Sequence, residues 1–360
     1  MKPKGVFCML TEKETKRILY LDNLRIIACL AVITIHLCAQ WFDILSLQSK
    51  SWMVLNIYDG FARAAVPIFV MISGALFLNP EKNVELSVLL KKNVLRIAVA
   101  FVFWSGVYSI LDRLQGVRMR DIMFGFLSGH DHLWFLYMIA GLYLVTPLLR
   151  KLTESEKLTK YFLILWFLFS VLLTTAEAGV SYFKSYFPHW IDVIQEAANV
   201  NLVTGYVGYF VLGHFLHRRE CSKKERGVIY ALGILGAAST VVFTYLYSRR
   251  TGALDMSFYN NMALGVMLES TAIFVFFKYH APRQKDNAFQ KLVTTVSVCS
   301  FGIYLVHMLV IQIVPKVLPF ELNVRPLAVF IPIYAVAVFL ISFAITFILK
   351  KIPSVNRFIV

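Results

Sequence analysis

From residue 21 onward the chain alternates long apolar runs with short polar connections. Ten runs stand out, at about 22–43, 57–79, 93–112, 133–149, 160–176, 200–217, 228–248, 262–279, 296–316 and 326–349. Each approaches the roughly 20 residues an α-helix needs to cross the hydrocarbon of a bilayer. The pattern predicts an all-α polytopic membrane protein with about ten transmembrane helices. Residues 1–20 form a basic, polar lead-in, 21–349 the membrane domain and 350–360 a short tail. The first apolar run is long enough to span, so no cleavable signal is expected. The fifth run is short, and its outer end is expected to continue past Ala176. The longest outer connection, about Glu177 to Asn199, is rich in aromatic residues and is a candidate cover for a site. No internal repeat or low-complexity tract is visible.

Composition agrees with this reading: 58% of the 360 residues are hydrophobic and 16% charged, with a mean hydropathy of +0.67. That is more apolar surface than a soluble domain can bury. The net charge of +15 could point to nucleic acid, but its distribution excludes that use. Of the 36 Lys and Arg residues, 25 fall on one set of connections and nine on the opposite set, while Arg25 and Arg63 lie within the apolar runs. The positive-inside bias places both termini in the cytoplasm and makes the number of spans even. The five cysteines, Cys8, Cys29, Cys38, Cys221 and Cys299, have no metal-ligand spacing.

The first run, LDNLRIIACLAVITIHLCAQWF, carries Arg25 near one end and His36 well inside. Ionisable groups in hydrocarbon are costly and usually face a bundle interior or a wet cavity. His36 follows Arg25 by eleven positions. At about 100° per residue that is about 20° past three full turns, so both side chains share a face, roughly 16 Å apart along the axis. Set against this is an Arg snorkelling to headgroups and a His bonded to a neighbouring helix.

Topology gives these residues a depth. His36 lies roughly 21 Å from the inner end of its helix, in the outer half of the membrane. Arg63, Glu269 and His307, on the second, eighth and ninth runs, come to a similar outer level. A carboxylate and a guanidinium left apart there would be expensive, so the four are expected to share a polar cavity, with Arg63 paired to Glu269. A purely structural Arg63–Glu269 pair is the alternative. At the inner level stand Arg25, Lys91, Lys92 and Arg96, where a polyanionic cytosolic ligand would meet them; the positive-inside rule also accounts for the lysines. Ser73-Gly74 offers close helix approach or room for a ligand. His130 and His132 are two positions apart and would point to different faces of a helix. They are therefore read as interfacial, ahead of Trp134, and no metal site is expected. Phosphate-loop, HExxH and GxSxG signatures are absent.

At these residues the sequence resembles the integral-membrane acyltransferase-3 family over nearly its whole length. The family's first-helix signature, Arg or Lys, ten residues, then His, is met by Arg25 and His36. RAAVPIFVMISGALF (Arg63 to Phe77) is similar to its second helix, ending in Ser-Gly. HLWFLYMIAGLYLVTPLL (His132 to Leu149) is similar to its fourth, and GYFVLGHFL and SFGIYLVHMLV to later ones. Within the family the likeness is greatest to stand-alone O-acetyltransferases of the enterobacterial common antigen type. One departure concerns the inner end of the third helix, where the family often has two Arg three apart that are proposed to hold the acyl donor. Asn93 takes the first position and Arg96 the second, so Lys92 is considered as a substitute. Glu269 matches no family motif.

The resemblance implies transfer of an acyl group, acetyl from acetyl-CoA, to a sugar hydroxyl at the bacterial inner membrane, with no resident cofactor. The acceptor would be a cell-surface glycan or its lipid-linked precursor. Arg25 and His36 would form the catalytic axis, and Arg25, Arg96, Lys92 and Ser73 would hold the donor. Arg63, Glu269, His307, Tyr304 and Trp134 would shape the acceptor site. His36 would act either as a base towards the hydroxyl or as an acyl-carrying nucleophile, and Arg63 or the Tyr304 hydroxyl would steady the oxyanion. The rival from another class is a secondary transporter or flippase that uses the same ionisable residues to move an anion or lipid-linked sugar. Broken helices paired in matching halves would favour it, and none is found. A third reading, a structural partner in a polysaccharide assembly complex, leaves the aligned Arg25–His36 pair without a purpose.

Overall fold

A computed structural model of the chain describes residues 18–80, 85–130, 132–181, 203–281, 287–317 and 326–360. Among them the secondary structure is helical throughout, without a strand. The helices are α1 (Leu19–Ala39), α2 (Lys50–Ala62), α3 (Ala65–Phe77), α4 (Leu95–Leu114), α5 (Met119–Ser128), α6 (Trp134–Thr153), α7 (Glu156–Trp166), α8 (Leu173–Ser181) and α9 (Tyr206–Arg218). They continue with α10 (Lys223–Thr251), α11 (Leu264–His280), α12 (Ala288–Val298), α13 (Ser300–Val317), α14 (Leu327–Leu349) and α15 (Pro353–Phe358). A π-helical turn, Leu89–Val94, leads into α4, and another, Phe167–Leu172, joins α7 to α8.

Each of the ten apolar runs contains helix among the described residues, but they do not all cross as single straight rods. Among the described residues eight helical stretches are long and apolar enough to span a membrane, and nine if the bent pair α12–α13 counts as one span. The remaining run, 200–217, yields the 13-residue α9, about 20 Å long against a core of about 30 Å. Residues just before it, 182–202, lie outside the described residues, and with them most of the aromatic connection expected to cover the site. The fifth run does continue beyond Ala176, to Ser181.

Local chemistry explains the breaks. Pro67 has no N–H to offer the Arg63 carbonyl, and the second span is interrupted there, between α2 and α3. Near Cys299 the chain turns by 64° between α12 and α13. Helix starts are capped where the chain re-enters a helix from a connection. Ser49 accepts from the Trp52 N–H (3.1 Å), Asn287 from the Gln290 N–H (2.9 Å), and Ser222 with Glu225 forms a capping box on α10.

Helix α1 occupies the centre. It packs on α2, α3, α11, α12, α13 and α14, and Leu21, Leu24, Ala28, Ile33 and Leu37 on it are essentially inaccessible. The periphery shows the opposite: Ile110 on α4, Ile234 and Leu235 on α10 and Ile333 on α14 are each more than 60% exposed. Such an apolar belt is suited to lipid. Between α3 and α9 the backbones meet closely. A Cβ at Gly74 would run into the Phe210 carbonyl, and one at Gly213 into the Met71 carbonyl. This reciprocal contact is the close approach that small residues permit between membrane helices.

Replacing either glycine by Ala is therefore expected to destabilise the detergent-solubilised protein by about 1–3 kcal/mol, the usual cost of overpacking. Thermal unfolding of Gly74→Ala and Gly213→Ala, compared with Gly141→Ala, whose Cβ would meet nothing within 4 Å, measures it. Equal midpoints for all three would rule out the close contact as a stabilising feature.

Candidate active site

One face of α1 opens onto a cavity of about 310 Å³ that Arg25, Val32 and His36 line together. Helix α3 contributes Phe69 and Ser73, α4 and its leading π turn Asn93 and Arg96, α6 Trp134, Phe135 and Tyr143, and α13 Ser300, Phe301 and Tyr304. His132, in the turn before α6, completes the wall. The bend at Cys299 brings Ser300 and Phe301 to this wall, and the Cys29 thiol donates to the Ser300 carbonyl (3.6 Å) from α1.

The end nearer the side rich in Lys and Arg carries two guanidinium groups. Arg25 Nη1 donates to Asp22 Oδ1 (3.0 Å), and Ser297 Oγ donates to the same carboxylate (2.7 Å). This fixes α1 against α12 and leaves most of the five guanidinium N–H donors of Arg25 uncommitted to Asp22. Arg96 Nη2 donates to the Val360 carbonyl (2.5 Å), and its guanidinium lies over the Phe301 ring (5.3 Å). Trp104 Nε1 donates to the neighbouring Ile359 carbonyl (2.9 Å). Asn93, not Lys92, stands with Arg96 on the cavity wall, and Lys92 is exposed. Residues three apart share a helical face, whereas Lys92 is turned away by about 100° from its neighbour. Lys92 is thus not a substitute for the first Arg of the family pattern within this cavity.

The opposite end holds a group of imidazoles. His36 lies 5.2 Å from His307 and 6.2 Å from His132 between ring centroids, and His132 and His307 are 5.1 Å apart. His307 is fully buried behind the wall. Its Nδ1 is 2.5 Å from the Tyr304 carbonyl; a carbonyl only accepts, so Nδ1 carries the proton. The Tyr304 hydroxyl donates to the His132 carbonyl, so its single O–H is engaged there and does not point at a developing oxyanion. His130 stacks on Tyr108 (4.8 Å) and reaches Asp112 (3.4 Å). The interfacial reading of His132 does not hold: the residue is 2% exposed and faces the cavity. Its helical phase could not reveal this, because His132 sits in a turn ahead of α6 and not on a helix. Among the described residues no group of three or more His, Cys, Asp or Glu side chains is placed to hold a metal ion.

A family model described as an acyltransferase domain, of the acyltransferase-3 type, matches residues 18–349. The chain belongs to the acyltransferase-3 family. No curated protein and no solved structure matches it. With eight or nine candidate spans among the described residues, it is a multi-pass membrane acyltransferase.

Two residues expected at the site of this acyltransferase lie elsewhere. Arg63 pairs with Asp59, four positions earlier on α2, whose side chain is inaccessible, and the guanidinium lies over the Tyr259 ring (4.1 Å). Tyr259 in turn donates to Asn56 Oδ1 (2.5 Å). Glu269 is 4% exposed on α11, and its Oε2 has no hydrogen-bond partner among the described residues. No ion pair joins Arg63 to Glu269 among the described residues, and neither lines the cavity. The expected pair is therefore replaced by Asp59–Arg63. Depth along the membrane normal had matched the residues, but depth carries no information about which way each helix faces. The i,i+4 spacing of Asp59 and Arg63 was the signal for the actual partner.

Arg63→Gln is expected to cost about 3–5 kcal/mol by leaving Asp59 uncompensated, and Asp59→Asn/Arg63→Gln together less than the single change. Arg63→Gln combined with Glu269→Gln should be additive within about 0.5 kcal/mol. Thermal unfolding in detergent checks both cycles; strong coupling of Arg63 to Glu269 instead would reverse the assignment.

Proposed function

We propose that this acyltransferase transfers acetyl from cytosolic acetyl-CoA to a hydroxyl of a cell-surface glycan or its lipid-linked precursor, at the bacterial inner membrane. The observation that carries this reading is a single cavity with guanidinium groups at one end and imidazoles at the other. Arg25 and Arg96 suit the phosphates of CoA, because a guanidinium binds phosphate through a bidentate, charge-assisted fork. The thioester end then reaches along α1 towards His36, roughly 16 Å away. A cavity of about 310 Å³ accommodates the acyl-bearing end of such a donor rather than the whole of it. Ser73 and Tyr143 border the path between the two ends.

In the reaction the acceptor oxygen attacks the thioester carbon, and His36 takes the hydroxyl proton. The C–S bond then breaks, and the CoA thiolate leaves as the thiol after recovering that proton. In the alternative order His36 first carries the acetyl group and then passes it to the acceptor. Trp134, half in the cavity and half exposed, gives a sugar ring an aromatic surface at the outer end. His307 supports the wall from behind. The likeness of the sequence to O-acetyltransferases of the enterobacterial common antigen type favours an acceptor of that kind.

Purified protein in lipid nanodiscs, given acetyl-CoA and an acceptor glycan, is expected to release free thiol and yield an acetylated glycan by mass spectrometry. His36→Ala should abolish both while leaving expression and insertion intact. Arg25→Ala and Arg96→Ala should each raise the apparent KM for acetyl-CoA about 10- to 100-fold, the equivalent of a charge-assisted hydrogen bond worth about 1.5–3 kcal/mol. Near-normal transfer by the His36 variant, or losses confined to acceptor use in the Arg variants, would refute this division of the cavity.

A further inference from the structure

The oxyanion of acyl transfer needs a fixed donor near the attacking group, and the two groups the sequence offered are committed elsewhere. The Tyr304 hydroxyl donates to the His132 carbonyl, and Arg63 is paired with Asp59 outside the cavity. Arg25 and Arg96 belong to the other end. His132 remains. It is 2% exposed, it lines the cavity beside His36, and neither its Nδ1 nor its Nε2 has a hydrogen-bond partner among the described residues. The Leu305 carbonyl, which accepts from the Tyr108 hydroxyl (2.7 Å), is the backbone acceptor near the ring, but it makes no hydrogen bond of standard geometry with either ring nitrogen. Buried polar atoms are nearly always paired, so two orphaned nitrogens on one ring, on the wall of a reaction cavity, mark a position kept for a ligand.

The ring is also held still. Its backbone carbonyl is fixed by Tyr304, Tyr108 meets it edge-on at 5.1 Å, and His307 packs against it at the same distance. A donor that must not reorganise during the reaction needs this kind of support. The ionisable groups facing it are His36 from α1, Tyr304 and His307 from α13, Tyr108 from α4 and His130 from the preceding turn. None of them is a carboxylate that would take the ring N–H as its acceptor.

We infer that His132 is the oxyanion donor of the transfer, its ring N–H donating to the thioester carbonyl oxygen as negative charge develops there. This rests on the acyl-transfer reading proposed above. As the acceptor oxygen adds to the carbonyl carbon and its proton passes to His36, the carbonyl π pair moves onto oxygen, where the His132 N–H stabilises it. Collapse expels the CoA thiolate, which takes the proton from the His36 imidazolium, leaving an ester and a thiol. The same oxyanion forms if His36 carries the acetyl group first, so His132 serves either route.

The test compares His132→Ala, His132→Asn and His132→Gln in the nanodisc assay, with acetyl-CoA and a glycan that the unaltered protein acetylates. The amide nitrogens of Asn and Gln reproduce the positions of Nδ1 and Nε2 respectively. The Ala variant is expected to lose about 10²–10³ in kcat, with KM for both substrates within about twofold. One of the amide variants should recover at least about tenfold of that loss, since an amide donates but cannot take up a proton at neutral pH. The pH dependence of kcat in that variant should keep the form it has in the unaltered protein. Equal losses in all three variants, an effect on KM alone, or near-normal kcat for Ala would overturn the assignment. If none of the three folds, the ring is a packing element and the inference also falls. Absence of thiol release by the unaltered protein would refute the acyl-transfer reading itself, an outcome distinct from any difference among the variants.

Discussion

Hydrocarbon does not solvate a guanidinium or an imidazole, and the arrangement of this protein follows from that. Burying such groups without partners costs several kcal/mol each. Helix α1, which carries Arg25 and His36 on one face, is accordingly surrounded by six other helices instead of lipid. Asp22 and Ser297 meet Arg25 at one end, and two imidazoles meet His36 at the other. The cavity lies between these clusters because the polar ends hold the helices in register while Val32, Phe69 and Ile97 line the interval.

Close packing and helix breaks then shape the wall. The close approaches at Gly74 and Gly213 draw α3 and α9 together, and Ser73, one residue before Gly74, lines the cavity. The bend at Cys299 interrupts what would have been one straight helix and presents Ser300, Phe301 and Tyr304 along the length of α1. Breaks of this kind at membrane depth are tolerated where protein or a wet cavity satisfies the freed backbone groups. The Cys29 thiol ties α1 to this bend by donating to the Ser300 carbonyl.

The two ends suit two different solutes. In the proposed reaction, charge at the guanidinium end would attract a polyanionic donor through interactions that bulk water weakens but a narrow apolar passage preserves. Imidazoles at the outer end are compact and supply a hydrogen-bond donor and an acceptor without keeping a permanent charge in the membrane. An acyl group carried between these ends would leave its charged carrier behind, so no phosphate need enter the hydrocarbon layer. His132 and His307 add to His36 without adding fixed charge, which allows three titratable rings to share one small volume.

The number and position of the apolar runs, the side rich in Lys and Arg, and the common face of Arg25 and His36 all follow from the sequence. Each depends only on local composition and on the fixed geometry of a helix, about 1.5 Å and 100° per residue. The level of Arg63 and Glu269 in the membrane also came from counting residues, yet their partners did not. Rotation of α2 and α11 about their axes is set by packing and turns both residues away from the cavity, while the i,i+4 spacing on α2 gives Arg63 its partner in Asp59. The same holds for Asn93 in place of Lys92, decided by which face of the π turn meets the cavity. His132 needed the tertiary structure most of all. It lies in a turn, where periodicity predicts no direction, and its place beside His36 is created by a hydrogen bond from Tyr304, 172 residues further along the chain.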